Sequence, residues 1–440
     1  MATRKVLIIS FDFPPQGGTG AIRVTKFVKY LPEFGWDPVV VCSDTMWNPD
    51  ESLARDVPPH VPVYRVGWPR WVQRLRPQPP VVGPTPSALP AESAKQSLRH
   101  RLVALARQVL IPDTNRLWVS SAVRQSRELI AHGDIDAILT TSPPHSVQLV
   151  GLRLKRAFPH IPWIADFRDL WSQSDLIVDT GLRAHMNYRM ETQCLSHADR
   201  VLLVTDGIRS LTLQEFPPAV IDGSKAITLT NGYDPDDNVP GVGLPHNDRL
   251  TLTFTGSLFG PRSGTQLIPA LNELMNNDAL RKRIQVRLVG FIPDSVQAQV
   301  ESLCRRGVIV VRPPVSHQEA LTEIAQADAL LLIEADTPEL RLNHSNKLFE
   351  YLAAGKPILG IVAPGEASRV IEEEHAGIVV HPDNREQIKR AILELLGSYN
   401  RGDLADLPSP DKYARFQRRN LTRSLADILS GLNADTIKHS

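Results

Sequence analysis

Cysteine is scarce in this chain of 440 residues: Cys42, Cys194 and Cys304 are widely spaced and odd in number. No CxxC pair occurs, so neither a zinc-ribbon site nor a disulfide framework is suggested. Sparse, scattered thiols suit a reducing compartment. Charge of one sign is also lacking. Lys and Arg number 49 against 48 Asp and Glu, a net charge of +1, so the chain as a whole is not a polyelectrolyte built for nucleic acid. No apolar run reaches the roughly 18 residues of a spanning helix. The opening run Val6-Leu7-Ile8-Ile9 meets Phe11-Asp12 too soon for a signal-peptide core, and no cleavage site follows. The expectation is a soluble cytoplasmic protein. HExxH, P-loop and GxSxG patterns are missing, and the 13 histidines show no close metal-ligand spacing.

What is present is alternation. Val6–Ser10 reads as a parallel strand covered on both faces. A loop with two prolines and three glycines follows. Then Val24, Phe27, Val28 and Leu31 recur at helical spacing, Gly35 closes the helix, and Pro38–Cys42 is the next strand. The βαβ pattern recurs, with strands expected at Ala137–Thr141, Pro162–Ala165, Val201–Val204 and Ala226–Thr230, and helices at His145–Arg156, Gly181–His197 and Gly207–Glu215. Asp234–Asp248 reads as a linker. A second α/β series starts at Leu252, and a final helix is expected over Lys412–Leu432.

The expected organisation is an N-terminal domain over 1–233, a linker at 234–249, a C-terminal domain over 250–400 and a terminal helix at 410–435. Both domains read as Rossmann-like doubly wound parallel sheets facing a central cleft. Residues 65–110 interrupt the first domain with a proline-rich stretch and eight bases against Glu92 alone. With Trp68 and Trp71 beside them, they read either as a membrane-surface segment or as a solvated loop and helix.

Ser345–Pro357, SNKLFEYLAAGKP, is the most informative segment. Ser345 is placed to cap a helix, Gly355 and Pro357 to stop it, and Leu348, Tyr351 and Leu352 to form its buried stripe. Lys347 and Glu350 share a different face. A helix N-terminus suits a diphosphate, and Glu350, one turn deeper, could accept bonds from ribose hydroxyls. The plainer alternative is an exposed Lys–Glu pair. Gly17-Gly18-Thr19-Gly20 permits close backbone approach but fails as a dinucleotide fingerprint, with Arg23 in place of the third glycine. His145 follows a strand and two prolines, and Asp166-Phe167-Arg168-Asp169 ends the next strand. Asp234-Pro235-Asp236 reads as linker acid rather than as a metal-binding DxD.

The segment SNKLFEYLAAGKP resembles the donor-binding signature of glycosyltransferase family 4. Ile9–Arg23, Thr140–Ser146, Asp166–Trp171, Ala198–Val201, Thr230–Asp234 and Phe254–Leu258 with Arg262 extend the likeness over nearly the whole chain. Two of these pieces resemble a subgroup acting in cell-surface polysaccharide and O-antigen pathways. The resemblance implies the GT-B fold and retaining transfer from a nucleoside-diphosphate sugar, with UDP as the expected nucleotide and no metal or other cofactor required. Donor contacts fall on Gly17, Gly18, Arg262, Ser345, Asn346, Lys347 and Glu350. Catalytic roles fall on His145, Asp166 and Arg168, and acceptor-side roles on Arg23 and Asp169. The acceptor is a glycan, a lipid-linked intermediate or a small molecule, with peripheral membrane contact through 65–110 and no nucleic acid partner. Two departures stand out: Leu342 occupies the position of the family's second glutamate, and Ser257 that of its arginine. Leu342 leaves open a donor-binding pseudo-transferase, and the same architecture also serves nucleotide-sugar epimerases. A phosphorylase is the weaker rival, since no pyridoxal-lysine signature is present.

Overall fold

The computed structural model describes residues 3–46, 49–69, 110–174, 180–237, 247–258, 266–405 and 410–438. The chain forms two compact units. The first takes in Met1–Val204, Arg209–Leu229 and Thr422–Ser440, the second Thr205–Ile208 and Thr230–Leu421.

The first unit is built on β1 (Arg4–Ser10), β2 (Trp36–Ser43), β3 (Val63–Val66), β4 (Ala137–Ser142), β5 (Trp163–Phe167), β6 (Arg200–Leu203) and β7 (Ala226–Thr228). Their order is β3-β2-β1-β4-β5-β6-β7, and every pairing is parallel. Val6, Leu7, Ile8 and Ile9 of β1 are fully buried, as a continuous apolar run requires when helices cover both faces. The order reverses between β1 and β4, and such switch points are where open α/β sheets bind ligands, outside the strands' carboxyl ends.

The second unit repeats the design with β8 (Leu250–Thr255), β9 (Ile284–Val289), β10 (Ile309–Arg312), β11 (Ala329–Ile333), β12 (Ile358–Ile361) and β13 (Gly377–Val380). The order is β10-β9-β8-β11-β12-β13, again parallel, with the switch between β8 and β11. Leucine, isoleucine and valine from the strands and from helices Leu267–Leu274 and Arg385–Arg401 form one side of its core. Helix Asn346–Ala354 anchors the other side.

Several elements depart from the sequence reading. Strand β3 was not expected: it is short, lies at the sheet edge, and exposes two of its four residues. Helices Trp118–His132 and Asp294–Arg305 were also missed. The second carries a legible stripe, since Val296, Val300 and Leu303 are buried at i, i+4 and i+7. The terminal helix starts at Arg418 rather than Lys412, which sits in a preceding 3-10 segment, Pro410–Phe416. Trp68 is buried, edge-on to Phe11 at 6.3 Å. The rest of that basic stretch, 70–109, lies outside the described residues. Among the described residues no helix is long and apolar enough to cross a membrane.

Candidate active site

In the second unit the site grows from helix Asn346–Ala354, which runs from the carboxyl edge of the sheet down to β12. The Ser345 hydroxyl accepts from the Lys347 amide at 3.3 Å, and Gly355 closes the helix in the left-handed conformation at φ 62°. Leu348, Phe349, Tyr351 and Leu352 are buried. Tyr351 reaches the end of β8: its hydroxyl accepts from the Thr255 amide at 3.2 Å and lies 3.2 Å from Thr255 Oγ1. Burial pushes this phenol up to about 12, so it stays a neutral hydroxyl.

That anchor sets Lys347 against the next residue of the β8 loop. A methyl group at Gly256 would lie 2.6 Å from Lys347 Nζ and 2.3 Å from its Cε. Gly256 has φ 124°, and a methyl at Gly290 (φ 135°) would meet the Gly256 carbonyl at 2.0 Å. Two glycines at the ends of adjacent strands therefore make room for backbone and ammonium together. Glu350 is recessed one turn deeper. Burial raises its carboxyl above the ordinary range, against the opposing charges of His317, Lys347 and Arg418; His317 Nδ1 is 4.0 Å from Glu350 Oε1. The buried Asn346 Oδ1 has no hydrogen-bond partner among the described residues. Leu342 ends the short helix Pro338–Leu342, and its carbonyl accepts from Thr205 Oγ1 at 2.6 Å. Arg262 lies outside the described residues.

In the first unit the expected residues gather at the β1–β4 switch and the end of β5. Gly18, at φ 95°, precedes helix Thr19–Tyr30, and Gly17 is buried in the same loop. Arg23 of that helix reaches Asp166 with two nitrogens, Nε to Oδ2 at 3.1 Å and Nη2 to Oδ1 at 3.0 Å, and donates to the Leu229 carbonyl at 2.9 Å. Thr141 Oγ1 donates to Asp166 Oδ2 at 2.7 Å. Both partners of this ion pair are buried. Arg168 donates to the carbonyls of Ser142, Gly20 and Pro143 at 3.0, 2.9 and 2.8 Å, tying three loops together. Asp169 is half-buried beside it. Asp166 was expected as a catalytic carboxylate, Arg168 as catalytic and Arg23 as an acceptor contact. The structure shows Arg23 and Asp166 paired with each other and Arg168 on three carbonyls, bonds that frame this edge of the sheet.

His145 differs from these. It opens a 3-10 turn, His145–Val147, ahead of helix Gln148–Ala157. Asp113 accepts from the Ser146 amide at 2.8 Å and holds the turn from outside. The imidazole stacks on Trp171 with centroids 5.2 Å apart and planes 5° from parallel. Burial lowers its pKa to about 4, with a backbone hydrogen bond to Leu170 pulling the other way. The ring is therefore neutral near pH 7, and Nδ1 is buried with no partner among the described residues.

Sequence spacing missed three features. Gly256 lies under Lys347, and His317 lies beside Glu350. Asp336, His381 and Asp383 converge within metal-ligand distance of one another. Asp336 already holds Arg341, with Nη2 at 2.8 Å from Oδ2, and His381 Nε2 lies 3.3 Å from the same oxygen. Asp234 behaves as a turn residue, accepting from the Asp236 amide at 3.1 Å.

Residues 18–221 match the family described as Glycosyl transferase 4-like domain, and residues 249–398 match Glycosyl transferases group 1. The chain is a glycosyltransferase of the family-4 kind. Its two parallel-sheet units are those of the GT-B fold. Sucrose-phosphate synthase from Thermosynechococcus elongatus aligns with a TM-score of 0.65 at 15% identity, covering 98% of this glycosyltransferase and 100% of that chain. WaaG, a glycosyltransferase involved in lipopolysaccharide biosynthesis, gives 0.59 at 16%, covering 97% and 100%. S. aureus MnaA, solved with UDP, gives 0.53 at 14%, covering 98% and 97%. At these identities the structural likeness speaks to fold alone. No curated protein sequence matches the chain significantly.

Proposed function

We propose that this glycosyltransferase moves a sugar from a nucleoside-diphosphate sugar, with UDP as the nucleotide, to an acceptor hydroxyl, with retention at the anomeric carbon and without a metal. The observation that carries the reading is the placement of Lys347 Nζ over Gly256, at the capped start of helix Asn346–Ala354, with Glu350 recessed a turn below. Helix amides and an ammonium favour a diphosphate, and a recessed carboxylate suits a pair of ribose hydroxyls. The bond from the anomeric carbon to the diphosphate oxygen breaks, its electron pair staying on the diphosphate. The acceptor oxygen bonds to that carbon, and its proton passes to the departing diphosphate. Lys347 stabilises the charge that develops, and Arg262 adds to it. Asn346, Gly17 and Gly18 line the donor. Neutral His145 faces the transferred sugar as a hydrogen-bonding group, and Asp169 serves the acceptor. The UDP-bound MnaA neighbour is consistent with the nucleotide, and WaaG with a place in cell-surface glycan assembly on a lipid-linked intermediate.

Leu342, whose carbonyl is held by Thr205, keeps a second reading in play, a donor-binding subunit without turnover. The test incubates the purified protein with a panel of UDP-sugars, with and without lipid-linked glycan acceptors, and with and without EDTA. Acceptor-dependent UDP release that survives EDTA is expected. Isomerised sugar without acceptor would make the protein an epimerase, and tight UDP binding with no turnover would make it the subunit.

A further inference from the structure

Helix Gly181–His197 buries two polar residues one turn apart, Asn187 and Glu191, at 2% and 4% exposure. Buried polar groups are costly unless each finds a partner, and both do so on one loop. Asn187 Oδ1 accepts from Trp171 Nε1 at 3.0 Å. Glu191 Oε2 accepts from the Ser172 amide at 2.9 Å and from Ser172 Oγ at 2.5 Å. This is the loop that supplies the stacking face for His145 at Trp171 and a backbone hydrogen bond at Leu170. Arg168, gripping three carbonyls, fixes the start of the same loop. Thus the imidazole rests on an indole whose N–H is held by one helix residue, while the residue after it is held by another.

We infer that Asn187 and Glu191 are positioning residues for transfer: through the Trp171–Ser172 loop they fix the plane of the His145 ring and the direction in which Nδ1 points. The inference rests on the reading that His145 faces the transferred sugar. Apolar residues would pack this face of the helix as well and leave the indole free to slide along it. A hydrogen bond to Trp171 Nε1 fixes the indole's position as well as its burial. A misplaced group in a site of this kind costs turnover rather than substrate affinity. Burial pushes the Glu191 carboxyl up to about 7, while its bonds from Ser172 pull it down. An acceptor oxygen is present in either protonation state, so the isosteric amide is a fair substitute.

The test compares Asn187→Leu and Glu191→Leu with the isosteric Asn187→Asp and Glu191→Gln, using a UDP-sugar and acceptor that the wild type turns over. The leucine variants are expected to lower kcat by tenfold or more, with donor KM and UDP affinity within twofold. The isosteric variants should recover most of the rate. In a His145→Ala background the leucine substitutions should cause no further loss, as expected of residues acting through one group. Unchanged kcat in the leucine variants, or an equal loss with and without His145, would overturn the inference. Absence of transfer by the wild type would instead strike the functional reading. The positioning claim is then read directly from the His145 ring resonances, assigned with His145→Gln. Asn187→Leu should remove their ring-current shift, and unshifted resonances would refute it.

Discussion

The carboxyl edges of the two sheets are built on opposite principles. In the first unit the charges are taken up within the protein: Arg23 and Asp166 hold each other, and Arg168 holds three carbonyls. What is left over is a neutral imidazole with one nitrogen that has no partner among the described residues. In the second unit the charges are half-exposed, with Lys347 over glycine and Glu350 near His317. On the proposed reading, the contrast is between an edge whose ions set shape and an edge whose ions are placed to meet the donor. Removing a charge from the first edge should damage folding, and removing one from the second should damage binding or turnover.

Asp166→Ala gives the largest expected effect. It removes the carboxylate opposite the buried Arg23 guanidinium, and breaking a buried pair from one side costs about 3–5 kcal/mol. Urea unfolding should show this at any nucleotide concentration. A loss below about 1 kcal/mol would mean that Asp166 is not part of the frame and would reopen its role as a base. Lys347→Ala comes next. Turnover should fall on the order of 100-fold or more, the scale for one fixed electrostatic donor, while the unfolding midpoint stays put. Equal turnover would remove Lys347 from the site; a large drop in stability would erase the contrast between the edges.

That contrast explains what the sequence could reveal. The Ser345 cap, the Gly355 stop and the Leu348–Leu352 stripe are local signals, set by neighbours three or four positions away, and the observed helix matches them. The alternation of buried runs likewise pointed to two parallel sheets. The partners of Arg23 and Arg168 are long-range, 143 positions away for Asp166 and 148 for Gly20. Without those partners in view, a carboxylate and an arginine at the end of β5, and an arginine in the first helix, read as catalytic or acceptor groups. The Gly256–Lys347 approach and the convergence of Asp336 with His381 depend in the same way on where strand ends meet. Asn187 and Glu191 were invisible because two polar residues on a helix ordinarily face water.

Glu350 tests the second edge more finely. Glu350→Ala should weaken UDP binding by about 1.5–3 kcal/mol, the range for hydrogen bonds to a charged group; unchanged affinity in calorimetry would end its ribose role. pH separates binding from folding here. The carboxyl is raised in the folded protein, so the stability it contributes is full below the unfolded value of about 4.3 and is lost as pH rises through the folded one. At neutral pH the ligand-free Glu350→Gln protein should therefore be the more stable, yet bind UDP less well. Wild-type affinity should fall as pH drops through the raised value, because the carboxylate is the accepting form.

His317 carries the smallest expected effect and the finest test. At 4.0 Å from Glu350 and half-buried, it resembles a partly exposed pair, worth up to about 1 kcal/mol. His317 lowers the Glu350 pKa against the effect of burial, so His317→Gln should move the fall in UDP affinity to higher pH while leaving affinity above that range nearly unchanged. A loss of equal size at every pH would instead make His317 a direct ligand contact, which would add an imidazole to the second edge and bring it closer to the first.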